Sequence, residues 1–230
     1  SGMTGVAVGD VNGDGLDDLY LCQESGLPNL LWVQRPDGTA DDVSHEAGVD
    51  WLFGARCALF LDIDNDGDQD LAVAFLGYVV LAENNGEGHF DLRSTLSTSQ
   101  ENITLTAADY DLDGDLDLYV GSLSPDVHVD TPRDGGMSAP DASFVYHDAN
   151  DSAPNMLFRN EGSWNYRDVA AEVGLSANNA RRTLAAAWED FDNDGDQDLY
   201  VANDFGRNSL YRNDGATGFV DVAEDLAVED

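Results

Sequence analysis

CALFLDIDNDGDQDLAV, from Cys57 to Val73, sets a nine-residue aspartate loop between two apolar runs, and the same device occurs four times in 230 residues. The copies are DVNGDGLDD (10–18), DIDNDGDQD (62–70), DYDLDGDLD (109–117) and DFDNDGDQD (190–198). Positions one, three, five and nine are acidic, with Asn12 the single amide, and Gly15, Gly67, Gly114 and Gly195 hold position six. A short loop with carboxylates at alternate positions and a sharp turn at glycine is what a hard cation requires, since calcium takes six to eight oxygens at roughly 2.3–2.6 Å. About four Ca²⁺ sites follow. Their candidate ligands are Asp10, Asn12, Asp14, Leu16 and Asp18; Asp62, Asp64, Asp66, Asp68 and Asp70; Asp109, Asp111, Asp113, Asp115 and Asp117; and Asp190, Asp192, Asp194, Asp196 and Asp198. The variable seventh position is expected to offer its backbone carbonyl and to point its side chain away.

An EF-hand loop needs a bidentate Glu at position twelve and flanking helices. Here that position is Leu21, Val73, Val120 or Val201, which excludes the motif. Aspartate at position nine is expected to close each site instead. Four copies in one register are not explained by turn propensity alone.

The flanks decide the fold. Runs such as Cys57–Leu61 before the loop and Leu71–Val73 after it are four to six residues long and bounded by turn signals, which suits strands. A third strand recurs at 29–32, 78–81, 155–158 and 208–211, then a glycine turn of the hairpin kind, then a fourth strand at 42–43, 90–92, 166–169 and 219–222. The expectation is an all-β chain of four β-propeller-type blades, each of four antiparallel strands. The blades fall at about 3–50, 51–98, 99–175 and 176–230, with an insertion at about 122–153 in the third. They form either a closed four-bladed ring or part of a larger propeller.

The pattern G-x-A-x-x-D-x-D-x-D-G-x-x-D-L-Y, followed by N-x-L-(Y/F)-R-N-x-G and F-x-D-V-A, resembles the FG-GAP/VCBS repeats of integrin-like propellers. It is most similar to the branch containing cartilage acidic protein and its ASPIC/UnbV relatives. Residues 2–10, 155–160, 168–175 and 208–213 carry the match. The resemblance implies a calcium-stabilised extracellular propeller whose aspartate loops are structural. Integrin-like propellers have seven blades, whereas this chain supplies four.

The charge is extreme: 46 acidic residues oppose 10 basic ones, all arginine, for a net −36. Setting aside the 15 acids at positions one, three, five and nine, where the side chain is the proposed ligand, still leaves 31, so metal ligation does not account for the surface. Acid without lysine suits a salt-rich habitat, because self-repulsion on this scale needs screening. Nucleic acid and anionic membranes, which are bound through basic clusters, are poor partners for such a field, and neither nucleic-acid binding nor membrane insertion is expected. No run approaches the length of a membrane span. Cys22 and Cys57 read as buried core thiols, with a cross-blade disulfide as the alternative. The sequons Asn102-Ile-Thr104 and Asn150-Asp-Ser152 are candidate surface glycosylation sites.

Propeller topology puts the acidic loops on one face and the insertion on the other. Arg56, Arg133, Arg181, Arg182 and Arg207 fall on that second face, where paired guanidinium hydrogen bonds can grip a carboxylate or sulfate. The competing reading pairs each arginine with a local aspartate. Trp51, Phe53 and Trp188 are candidates for stacking on a sugar or for packing between blades. His128, Asp130, His147 and Asp148 in the insertion are a candidate second metal site. No nucleophile elbow, P-loop or H-E-x-x-H motif is present. The composite expectation is a non-catalytic, extracellular or cell-surface calcium-binding module that binds protein or glycan on the face opposite the loops. The alternatives are a polysaccharide lyase or hydrolase using that face, or a self-associating surface-layer or filament subunit.

Overall fold

The computed structural model describes residues 4–99, 101–123 and 149–229. Its first sheet comprises β1 (Val6–Gly9), β2 (Asp18–Leu21), β3 (Leu30–Gln34) and β4 (Ala40–Asp42). The second comprises β5 (Ala55–Leu61), β6 (Asp70–Phe75), β7 (Tyr78–Asn84) and β8 (Phe90–Ser97). The third contains β9 (Asn102–Ala108), β10 (Asp117–Ser122), β11 (Met156–Asn160) and β12 (Tyr166–Asp168). The fourth contains β13 (Arg182–Glu189), β14 (Asp198–Asp204), β15 (Ser209–Asn213) and β16 (Phe219–Asp221). Every sheet is an antiparallel meander in which sequence neighbours pair, and each aspartate loop joins a blade's first and second strands.

Strand alternation determines how the blades stack. Side chains point to opposite faces at successive positions, so the residue just after each ninth-position aspartate faces one neighbour and the following residue faces the other. Leu71, Leu118 and Leu199 are fully buried against the preceding blade, while Tyr20, Ala72 and Tyr119 pack toward the next. Three apolar layers result, between blades 1 and 2, 2 and 3, and 3 and 4. Each buried leucine contributes about 1.5–3 kcal/mol. Backbones approach closely at the inner strands: a Cβ on Gly5 would lie 2.7 Å from the Arg56 carbonyl oxygen, so only glycine fits there.

The arc is open rather than a closed four-bladed ring. On blade 1 the backward face carries Val6, Val8 and Trp32 at 52%, 58% and 40% exposure, where the same face of blades 2 to 4 is covered. On blade 4 the forward-facing Tyr200 and Leu210 pack against Val222 and Ala223. The last strand ends at Asp221, as expected within one residue, and a helical turn, α1 (Ala223–Leu226), follows.

Cys22 and Cys57 are free thiols, and burial pushes both up to about 12. Asn102 is fully buried, and its amide donates to the Phe75 carbonyl at 2.8 Å, so it is not a surface glycosylation acceptor. The central part of the expected insertion, including His128, Asp130, Arg133, His147 and Asp148, lies outside the described residues. Among the described residues no helix is long and apolar enough to cross a membrane.

Candidate metal centres

Within each loop the aspartates first organise the backbone. The position-one carboxylate accepts the amides of positions five and six: Asp62 takes Asp66 and Gly67, both at 3.1 Å, and Asp10, Asp109 and Asp190 repeat the pattern. Position five accepts the amide of position seven, as in Asp66 from Asp68 at 3.1 Å. These bonds curl the loop so that its remaining carboxylate lone pairs converge.

Two residues per loop take left-handed backbone conformations. The glycine at position six has φ between 85° and 101°, and position four (Gly13, Asn65, Leu112, Asn193) has φ between 60° and 71°. Glycine and asparagine tolerate that region, whereas leucine is strained in it. The requirement at position four was not anticipated from the sequence, although Gly or Asn in three of four copies was its visible trace.

Position nine does more than close a site. Asp18, Asp70, Asp117 and Asp198 are at most 1% exposed. Each accepts the position-two amide with one oxygen and an amide of the blade's third strand with the other. Asp70 takes Ile63 at 2.9 Å and Asn84 at 2.8 Å, and Asp117 takes Tyr110 at 3.3 Å and Asn160 at 2.8 Å. Burial pushes Asp70 and Asp117 up to about 7 against the downward pull of those amides.

The side chain at position seven is not turned away in three of the loops. Asp68 and Asp196 each have a buried carboxylate oxygen, Oδ1, with no hydrogen-bond partner among the described residues. Burial first, and then the charges of Asp66 and Asp194 respectively, push both up to about 6. Asp115 instead accepts the side-chain amide of Asn65 from the preceding blade's loop at 2.8 Å. In the first loop Leu16 offers no carboxylate.

Three groups bring carboxylate oxygens within 4.8 Å of one another: Asp62, Asp64 and Asp66; Asp109, Asp111 and Asp117; and Asp190, Asp192 and Asp194. All-oxygen donor sets that repel one another, with orphaned buried oxygens beside two of them, fit a hard divalent cation. In the first loop Asp10 and Asp14 are joined by Asn12, whose Oδ1 accepts the Asp14 amide at 3.0 Å.

The five arginines do not converge on one patch. Arg182 is buried and forms a two-pronged pair with Asp151 at 3.0 and 2.9 Å. Arg181 donates to the carbonyl of Arg207 at 3.0 Å, and Arg207 pairs with Glu229 at 3.0 Å. These three sit in blade 4, Arg56 lies at the start of β5 in blade 2, and Arg133 falls outside the described residues.

Residues 10–73 and 62–120 match the FG-GAP-like repeat family. Blades 1 and 2 and the first half of blade 3, up to Val120, thus carry FG-GAP-like repeats. Cartilage acidic protein 1 of Xenopus tropicalis is 27% identical over 131 residues, which is 54% of this chain and 20% of that protein. An Agrocybe aegerita lectin that recognises non-reducing terminal N-acetylglucosamine is similar in structure, with a TM-score of 0.51 at 16% identity over 95% of this chain and 51% of the lectin. The biofilm matrix protein Bap1 of V. cholerae gives 0.48 at 13% identity, covering 95% of this chain and 30% of that one. The chain therefore spans about half or less of the length of these relatives. At such identities the structural likeness concerns the fold.

Proposed function

We propose that this chain is a non-catalytic, extracellular calcium-binding module that presents a protein- or glycan-binding face on blades held in place by their acidic loops. The observation that carries this reading is the double duty of each loop. Asp62, Asp64, Asp66 and Asp70, with Asp68 beside them, would hold one ion, and the equivalent residues of the other loops would hold the rest. A bound divalent cation supplies the positive charge that these converging carboxylates lack. The buried ninth aspartate ties the same loop to the third strand, so a loop that loses its order loosens its blade.

Arg182 supports a structural rather than a catalytic role for blade 4. Its guanidinium is taken up by Asp151 and buried, which leaves it poorly placed to meet a substrate.

Thermal unfolding in chelator and in millimolar calcium tests the reading. Extracellular modules bind at about 10⁻⁴–10⁻³ M, so at ten times the dissociation constant each site adds about 1.4 kcal/mol. A melting midpoint that does not move with calcium would sink the proposal.

A further inference from the structure

At the strand ends opposite the acidic loops, blades 1 and 2 enclose a cavity of about 490 Å³ lined by Glu24, Ser25, Phe53, Arg56, Leu76 and Tyr78, among others. That volume lies in the range of small-ligand sites. We infer that this cavity is a binding site for a single uronic acid residue of a glycan, with Arg56 taking the carboxylate and the Phe53–Tyr78 wall taking the sugar's C–H face. The inference rests on reading the module as a glycan binder.

Three features of the cavity support it. The first is Arg56. The other eight described arginines are each engaged, seven with carboxylates and Arg181 with backbone carbonyls and a serine hydroxyl. Among the described residues Arg56 has neither an ion pair nor a hydrogen bond from its guanidinium. In a chain with 46 acidic residues, a guanidinium left without a carboxylate on a cavity wall is a vacancy for one brought by a ligand.

The second is the aromatic wall. Phe53 is 65% exposed and stands edge-on to Phe75 and Tyr78, with ring centroids 6.4 and 6.5 Å away. Phe75 and Tyr78 are themselves stacked at 5.2 Å, and Trp51 abuts Phe75 at 5.9 Å. The cluster is braced from behind while Phe53 and the 59%-exposed Leu76 remain open to solvent. Packing between blades explains Trp51 and Phe75, but not two large apolar side chains left open at a cavity mouth.

The third is the hydroxyl chemistry. The Ser25 hydroxyl on the cavity wall can donate to or accept from a ligand hydroxyl. A hexuronic acid carries the carboxylate, the hydroxyls and the apolar ring face together, whereas an aromatic acid lacks the donors and a neutral sugar lacks the carboxylate. The net −36 charge disfavours a polyanion but not one carboxylate, because salt screens charges beyond about 8 Å.

The test uses calcium-saturated protein with two probes that differ only at C6, methyl glucopyranosiduronic acid and methyl glucopyranoside, titrated by NMR. The uronate is expected to bind saturably and the glucoside at least about tenfold more weakly, the scale of a charged hydrogen bond. Arg56→Gln should lose about tenfold for the uronate with the melting midpoint unchanged, and Phe53→Ala should weaken binding of both probes. Equal binding of the two probes, wild-type affinity in Arg56→Gln, or no uronate binding overturns the assignment. Binding of neutral glycans or proteins without the uronate refutes this site and leaves the module reading intact. Uronate binding together with a calcium-independent melt refutes the module reading alone.

Discussion

The side-chain amide of Asn84 donates to the carbonyl of Val11 at 2.7 Å, across the boundary between blades 2 and 1. Asn160 makes the same bond to Ile63 at 3.2 Å, and Asn213 to Tyr110 at 2.8 Å. Each acceptor is the second residue of an acidic loop, and in each case that residue's own amide is held by the buried ninth aspartate. The side-chain oxygen of Asn84 accepts the Gly86 and Gly88 amides and so also sets the hairpin turn. One asparagine thus connects its own turn to the preceding blade's loop.

Asn84→Ala should lower stability by about 2–3 kcal/mol, because it leaves a buried carbonyl and turn amides without their partner. Urea unfolding measures this. Calcium affinity of the first loop should fall as well, since Val11 is the shared residue. A variant with unaltered stability would show that the bond is incidental.

The pH response should reverse with calcium. In the folded chain Asp70 and Asp117 sit at about 7, above the unfolded value of 3.8. The protonated form therefore favours the fold, and their contribution is fully present below about pH 4 and lost as pH rises through about 7. In chelator the melting midpoint should decline from pH 5 to 8. In saturating calcium the carboxylates must be ionised to act as ligands, and the midpoint should climb over the same range. Parallel curves would refute the assignment of these residues to the metal centres.

Asn12→Asp should tighten calcium binding to the first loop, measured by calorimetry. That loop places Asn12 and Leu16 where the other three carry aspartate, and affinity in such loops follows ligand charge. It is expected to be the weakest of the four. If the variant binds no more tightly, position three is not a ligand.

Leu112 has φ of 60° and is 63% exposed, at the position occupied elsewhere by Gly13, Asn65 and Asn193. Leu112→Asn should raise stability by about 1 kcal/mol by relieving left-handed strain, read as a higher denaturation midpoint. A fall would mean that the leucine makes contacts that outweigh the strain.

What was legible in the sequence follows from what repeats locally. The loops, their flanking strands and the meander order could be read from spacing and alternation alone. The position-seven side chains could not, because whether Asp68 turns inward depends on the third-strand turn that covers it: a Cβ on Gly86 would lie 3.2 Å from its Oδ2. The asparagine bonds were equally hidden, since each spans between 73 and 103 residues. Blade 1 carries Gln34 where the others have this asparagine, a difference visible in the sequence whose meaning only the stacking reveals. The supposed arginine cluster dispersed because sharing a face of the fold is not the same as sharing a neighbourhood on it.

The alternation that sends Leu71 backward and Ala72 forward gives the stack a polarity. Every blade has a head and a tail, and the three junctions join them by the same rule. A unit of this kind can be duplicated or lost whole, between one first aspartate and the next, with each surviving junction keeping its grammar. Blade number then becomes a property of the gene's history, while the fold of each blade stays unchanged.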